Sequence, residues 1–300
     1  MKRRMVIAAL MLMVAVVFAA CTKDPDNGGD VVIVPTGAID GLFTVNASGD
    51  KVFFSQGNLQ YDKTDNVWSF MEHQYDLVES NLQDVGEDYA NQNVVSLFCW
   101  ATSGYDHGAL CYQPWSTTES TGCYNAYGNS TLNLYDQTGQ AEWGYNAIIN
   151  GGNTAKTWRT PTTEEWEYVI FNLNTTSQIR FAKACVNSVN GLILLPDDWS
   201  ESFYALNDPN TEGVTYETNT ISASQWLTLE QYGAVFLPAA GFRQMFKAKG
   251  VGVSGNYWSA TSEKFGLKFG MHFCDAELDL ALHSYYSCFG FSVRLVCSAK

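Results

Sequence analysis

Between Gly255 and Val296 the chain alternates so strictly that few folds can accommodate it. Leu267, Phe269, Met271 and Phe273 interleave with Gly266, Lys268, Gly270 and His272. Leu278, Leu280 and Leu282 interleave with Asp279, Ala281 and His283. Phe289, Phe291, Val293 and Leu295 interleave with Gly290, Ser292 and Arg294. A period of two over such lengths predicts half-buried strands, one face on a core and the other in water. The wet side and the connections carry His272, Asp275, Asp279, His283, Tyr285 and Tyr286, with Phe289 opening the last segment. Flat aromatics with few rotors, set among groups that donate and accept hydrogen bonds, make a recognition palette. These residues are the expected ligand-binding surface.

The remainder of the chain reads as what holds that surface. At 300 residues it allows one large domain or two ordinary ones, and a hydrophobic fraction of 46% supports a sizeable core. A formal charge of −14 repels phosphate backbones and anionic headgroups, so nucleic acid is not an expected partner. Residues 1–20 read as a signal peptide: Lys2, Arg3 and Arg4, then an apolar run from Met5 to Phe18, too short for a membrane span of about 20 residues. The run ends in Ala19-Ala20-Cys21, which resembles a bacterial lipobox, with Phe18 where Leu is usual. Cys21 is thus the expected lipidation site and mature N-terminus. Thr22 to Asp26 resembles the acidic signal that sends lipoproteins of Bacteroides-like bacteria to the outer face of the outer membrane. Residues 21–38 are polar, Pro- and Gly-bearing, and read as a flexible tether; the folded domain is expected over 39–300.

Eight cysteines are present, and with Cys21 on lipid an odd number is left. Cys111 with Cys123 and Cys274 with Cys288 are two pairings that export permits, and the spacing decides neither. No CxxC pair suggests zinc, and the acids Asp197, Asp198 and Asp275 are too scattered to gather the six to eight oxygens calcium takes. His272 and His283 fall on the same wet side, where two imidazoles could hold a transition metal, but they read as surface imidazoles at a binding face. No metal and no cofactor is expected. Asp275, Glu277 and Asp279 share one face of an extended segment but read as solvated acids.

Strands are expected at Gly41–Asn46, Lys51–Phe54, Val67–Phe70 and around Asn93–Cys99. Residues 101–157 are rich in Gly, Ser, Thr, Asn and Tyr; Trp115, Tyr124, Tyr127, Tyr135, Trp143 and Tyr145 are expected to pin this long loop by packing. A helix is predicted after Trp158, with Thr160 as cap, Pro161 at its first position, and a stripe of Trp166, Val169, Ile170 and Leu173. Ile179–Val186 and Gly191–Leu195 predict a hairpin turning at 188–191. A second helix is predicted from Ser224 to about Tyr232, with a capping box of Ser222 and Gln225 and a stop at Gly233; Ala234–Leu237 then reads as a buried strand.

Trp158-Arg-Thr-Pro-Thr-Thr-Glu-Glu-Trp-Glu-Tyr168 resembles the RLPTEAEWEYA segment of formylglycine-generating enzymes. Leu237-Pro-Ala-Ala-Gly-Phe-Arg243, Gly255-Asn-Tyr-Trp-Ser-Ala-Thr261 and Gly290-Phe-Ser-Val-Arg294 fit the same layout. Phe54–Tyr61 and Leu97–Tyr105 are similar to the Bacteroides-type surface lipoproteins of that superfamily. The resemblance spans most of 41–296. It implies an α+β, C-type-lectin-like fold: twisted antiparallel strands, two helices and long ordered loops, with an N-terminal β-hairpin elaboration. Fold alone does not fix function.

Three functions are open under that fold. The expected one is a non-catalytic, cell-surface binding protein for a protein or glycan ligand. An oxidase like the formylglycine-generating enzymes would need a spaced pair of C-terminal cysteines, and Cys274, Cys288 and Cys297 do not reproduce that motif. A self-associating structural adhesin subunit would give the odd cysteine a use. Some members of the superfamily are also variable proteins of diversity-generating retroelements. Gly270, His272, Cys274, Asp275, Asp279, His283, Ser284, Tyr285, Tyr286, Cys288 and Phe289 all lie within the residue alphabet such elements produce from Asn codons.

Overall fold

The computed structural model describes residues 32–78, 93–103, 133–135, 141–244, 247–263, 267–275 and 281–299. The chain is α+β and mostly strand. β1 (Phe43–Thr44) and β2 (Lys51–Phe54) flank a turn in which Asn46 Oδ1 accepts from the Ser48 and Asp50 N–H groups at 3.0 and 3.1 Å. β3 (Leu59–Asp62), β4 (Val67–Phe70) and β5 (Val94–Val95) make an antiparallel sheet ordered β4-β3-β5. The sequence reading passes over β3, because four alternating residues between Asn58 and a turn are too few to show a period. Of the aromatics expected to pin the long loop, Trp143 is fully buried; Tyr145 is half-buried and Tyr135 half-exposed at 50%. Trp115, Tyr124, Tyr127, Cys111 and Cys123 lie outside the described residues.

α1 (Thr163–Glu167) is capped by Thr162, not by Thr160. Thr162 Oγ1 accepts from the Glu165 N–H at 3.2 Å, and a Glu165 carboxylate oxygen accepts from the Thr162 N–H at 2.9 Å, a reciprocal box. Thr160 is turned inward instead. Its N–H and hydroxyl both donate to Glu142 Oε1, at 3.0 and 2.7 Å. Burial pushes the Glu142 carboxyl above its usual range, against the hydrogen bonds from Thr160 and Gly144. The chain continues through one wide π turn, Tyr168–Asn172, so that Trp166, Val169, Ile170 and Leu173 are all buried, as the stripe predicts.

β6 (Phe181–Val186) and β7 (Val189–Leu194) form a hairpin whose turn is Asn187–Ser188, with φ of 48° and 68°. Positive φ at both central residues suits the right-handed twist of the strands, so the turn falls ahead of the expected 188–191. β8 (Thr220–Ile221) lies parallel to β6. α2 (Ala223–Gln231) carries the expected capping box, Ser222 Oγ accepting from the Gln225 N–H at 3.3 Å and Gln225 Oε1 from the Ser222 N–H at 2.9 Å. Gly233 follows at φ 81°, where a Cβ would lie 2.6 Å from Gly41 Cα. β9 (Val235–Pro238) completes a sheet ordered β8-β6-β7-β9.

β10 (Phe242–Gln244) and β11 (Lys247–Lys249) form a small ribbon; β12 (Ser254–Ser262), β13 (Leu267–Cys274) and β14 (Ala281–Tyr286) form a sheet in that order. β15 (Val296–Ser298) returns to pair with β2, Val296 opposite Phe54, which closes the two ends of the domain on each other. From Ile33 to Lys300 the described residues belong to one compact unit. One apolar cluster gathers Phe43, Phe54, Trp166, Leu192, Leu237, Tyr257, Met271 and Phe273; a second is strongly aromatic, with Tyr61, Trp68, Phe98, Trp143, Trp158, Trp258 and Phe291. The β12-β13-β14 sheet contributes to both.

Candidate functional site

Register decides which side chains of that sheet share a face. Asn256 lies opposite His272 and Trp258 opposite Gly270; Gly270 lies opposite His283, His272 opposite Ala281, and Lys268 opposite Tyr285. Because side chains alternate, all of these residues point to one side. Tyr257, Met271, Phe273 and Leu282 point to the other, into the first cluster.

The face read as wet is divided in two. Its inner part is covered. Phe291 stacks on Trp258, ring centres 4.2 Å apart, and a Cβ at Gly270 would lie 3.2 Å from Phe291 Cε2. Tyr285 meets Phe291 edge-on at 4.7 Å. Lys268 is 2% exposed; its Nζ donates to Ser262 Oγ at 2.6 Å and sits 4.3 Å from the Trp100 ring centre. Burial lowers its pKa to about 8. Lys268 and Gly270 are therefore not solvent-facing, contrary to the alternation. The run Phe289–Leu295 is likewise not a half-wet strand. It bridges Phe98 through Phe291, Arg243 through Gly290 and Tyr257 through Ser292, so neighbours cover it on both sides. Ser292 and Arg294 are buried as a result.

Arg294 has found polar company in that interior. It donates to Gln74 Oε1 and to the Phe236 carbonyl at 3.4 Å, and Gln74 in turn donates to Glu230 Oε1 at 2.9 Å. Burial lowers the Arg294 pKa to about 10. This is a structural cation, shielded from solvent.

The outer part of the face is open. His272 is half-buried, with Nδ1 2.8 Å from Asn256 Oδ1. His283 is exposed, its ring centre 6.1 Å from that of His272 and 6.2 Å from that of Tyr285. Tyr286, 39% exposed, projects from the opposite side of β14 and lies 6.2 Å from Phe289. Phe289 is half-buried between Phe242 and Phe291. His272, His283 and Tyr285 are thus brought together, with Tyr286 and Phe289 around the end of the strand. Asp275 stands at the far end of β13, where Oδ1 accepts from the Tyr216 N–H at 3.1 Å; it serves the backbone there. Asp279 and Cys21 lie outside the described residues.

Among the described residues, no strand pairs with the outer side of β14, whereas β12 is flanked by bridges to Gly241 and Ser292. The residue that the sequence reading gave no role is Asn256. It lies in the Gly255–Thr261 motif, and its 2% exposure marks it as a polar group fixed in place. No disulfide joins Cys274 to Cys288, and burial pushes the Cys297 thiol up to about 11, against the pull of Arg159. Such a thiol is a poor nucleophile near neutral pH. Elsewhere, a shallow groove of about 410 Å³ is lined by Asp40, Glu72, Leu227 and Glu230. No family model matches the chain, and no curated protein or solved structure matches it.

Proposed function

We propose that the protein is a lipid-anchored surface protein of C-type-lectin-like fold that binds a protein or glycan partner, without catalysis, through the outer half of the β13-β14 edge. The observation that carries this reading is the row of rings His272, His283, Tyr285, each within 6.2 Å of the next, seated on Phe291 through Tyr285 and exposed to solvent at His283. Rings already held by edge-on contacts lose little freedom when a partner arrives, and they offer both apolar faces and hydrogen-bonding atoms. Tyr286 extends the same surface around the strand. The terminal position of β14 adds a strand edge, which a partner main chain can extend.

The N-terminal sequence supports a membrane anchor at Cys21 and an outer-membrane, surface-exposed location. The resemblance to the lectin-like and formylglycine-generating superfamily supports the fold, and the retroelement alphabet at β13 and β14 supports a surface whose residues can change while its scaffold stays.

The test is a screen of the lipidated protein against a glycan array and a panel of purified extracellular proteins. Binding is expected, and the double variant His283→Ala/Tyr286→Ala is expected to lose at least about tenfold in affinity with an unchanged thermal midpoint, as for exposed residues at a contact centre. Absence of any ligand, or a ligand bound equally well by the variant, overturns the reading. Radiolabelled palmitate is expected on the wild type and not on Cys21→Ser.

A further inference from the structure

The Asn256 side chain fixes the chemistry of His272. Its Nδ2 donates to the Gly241 carbonyl at 3.1 Å, a group that can only accept, and to Ser254 Oγ at 3.2 Å. The amide orientation is thereby set, and Oδ1 is the atom turned toward His272. Oδ1 accepts, so the His272 Nδ1 at 2.8 Å carries the proton. In the neutral ring the lone pair then sits on Nε2. A hydrogen bond from the far ring nitrogen to a fixed oxygen is the support that metal-binding imidazoles use to hold tautomer and orientation. Two imidazoles on one face admit a transition metal but read first as surface residues; the buried amide is what tips the balance.

A second imidazole lies beside the first. His272 is opposite Ala281, and His283 stands two residues further along β14 on the same face. The two are diagonal cross-strand neighbours, a relation that brings long side chains into reach. Their ring centres are 6.1 Å apart, with planes at 61°. Metal–nitrogen bonds are about 2.0–2.1 Å long, so two rings whose centres lie 6.1 Å apart are near the separation at which one ion can be held between them. His283 is exposed.

We propose that His272 and His283 form a two-imidazole site for a divalent transition ion, Zn²⁺, Ni²⁺ or Cu²⁺, with its remaining positions open to water or to a donor atom of a bound molecule. Neutral imidazole favours these ions over Ca²⁺ and Mg²⁺, which want oxygen. Asp275 takes no part, because its Oδ1 faces the Tyr216 N–H. The proposal goes beyond partner binding: the probe is the metal ion alone, so it stands or falls whether or not a partner exists.

The experiment is calorimetric titration of the full-length protein, without a histidine tag, with ZnCl₂, NiCl₂ and CuCl₂. One ion per chain is expected, with the affinity order Cu²⁺ above Ni²⁺ and no heat from CaCl₂. His283→Gln is expected to weaken binding at least about tenfold and His272→Gln similarly, while His73→Gln leaves it unchanged. Binding is expected to weaken on acidification, because a protonated imidazole has no lone pair for the metal. His283→Gln alters an exposed residue and so remains decisive if His272→Gln misfolds by circular dichroism. Nitrogen-15 spectra of the imidazoles are expected to report a proton on His272 Nδ1 before metal is added. No binding by the wild type, or undiminished binding by His283→Gln, overturns the proposal.

Discussion

The β6-β7 and β13-β14 hairpins pair in the same antiparallel way, and both alternate large apolar residues along at least one strand. Their surroundings differ. β6-β7 is bordered by β8 on one edge and β9 on the other, and its two faces enter two separate apolar clusters. Even its lysine, Lys183, is 1% exposed. β13-β14 has β12 on one edge and no strand on the other among the described residues; one face enters the first cluster, and the other is covered only over its inner part. The difference teaches that alternation reports a buried face but says nothing about who stands at the edge. Edge and partial cover, which come from distant chain, leave the second hairpin a surface with which to meet another molecule.

That contrast can be broken by measurement. The largest effect is expected in the covered hairpin. Leu192→Ala removes a fully buried side chain from β7 and is expected to destabilise by about 2–5 kcal/mol, read from the urea midpoint. A loss below about 1 kcal/mol means that the hairpin is not packed on both faces. Tyr285→Ala comes next, at about 1–3 kcal/mol, since the ring is half-buried and loses its edge-on contact with Phe291. If Tyr285→Ala leaves stability unchanged, the covered and open parts of the face are not distinct.

The smallest expected effect is a pH slope at Lys268. Its folded pKa, about 8, lies below the ordinary lysine value of 10.5 because burial disfavours the cation. Between those two values the unfolded chain holds a proton that the folded chain has released, so this group's contribution to stability rises with pH. The stability difference between wild type and Lys268→Met is therefore expected to shift in favour of the wild type from pH 8 to 9.5. Parallel denaturation curves for the two across that range contradict the desolvation.

What was legible in the sequence was what neighbours in the chain decide. Ser222 and Gln225 are three apart, and their box forms as read. The stripe from Trp166 to Leu173 is buried as read, because one turn of helix sets it. The cap of α1 moved from Thr160 to Thr162 because Glu142, distant in the chain, claims the Thr160 hydroxyl. Lys268, Ser292 and Arg294 were read as wet because polar residues at alternate positions normally are. Trp100 over Lys268, and the return of Phe289–Leu295 across the sheet, reverse that. The pairing of His272 with His283 depends on the register of β13 and β14, which no local signal determines. The amide that orients His272 is visible only once Gly241 and Asn256 are side by side.

The strand at Val296–Ser298 has a consequence for how the molecule is made. β2 has β1 available at once, but its other neighbour, β15, comes from far later in the chain. A chain made only as far as Leu295 leaves the Phe53–Phe54 edge bare, so this sheet closes only once Val296 and Cys297 have been added. Contacts between residues so far apart make for slow folding, and the incomplete chain meets its surroundings as an unlatched sheet for all of that time.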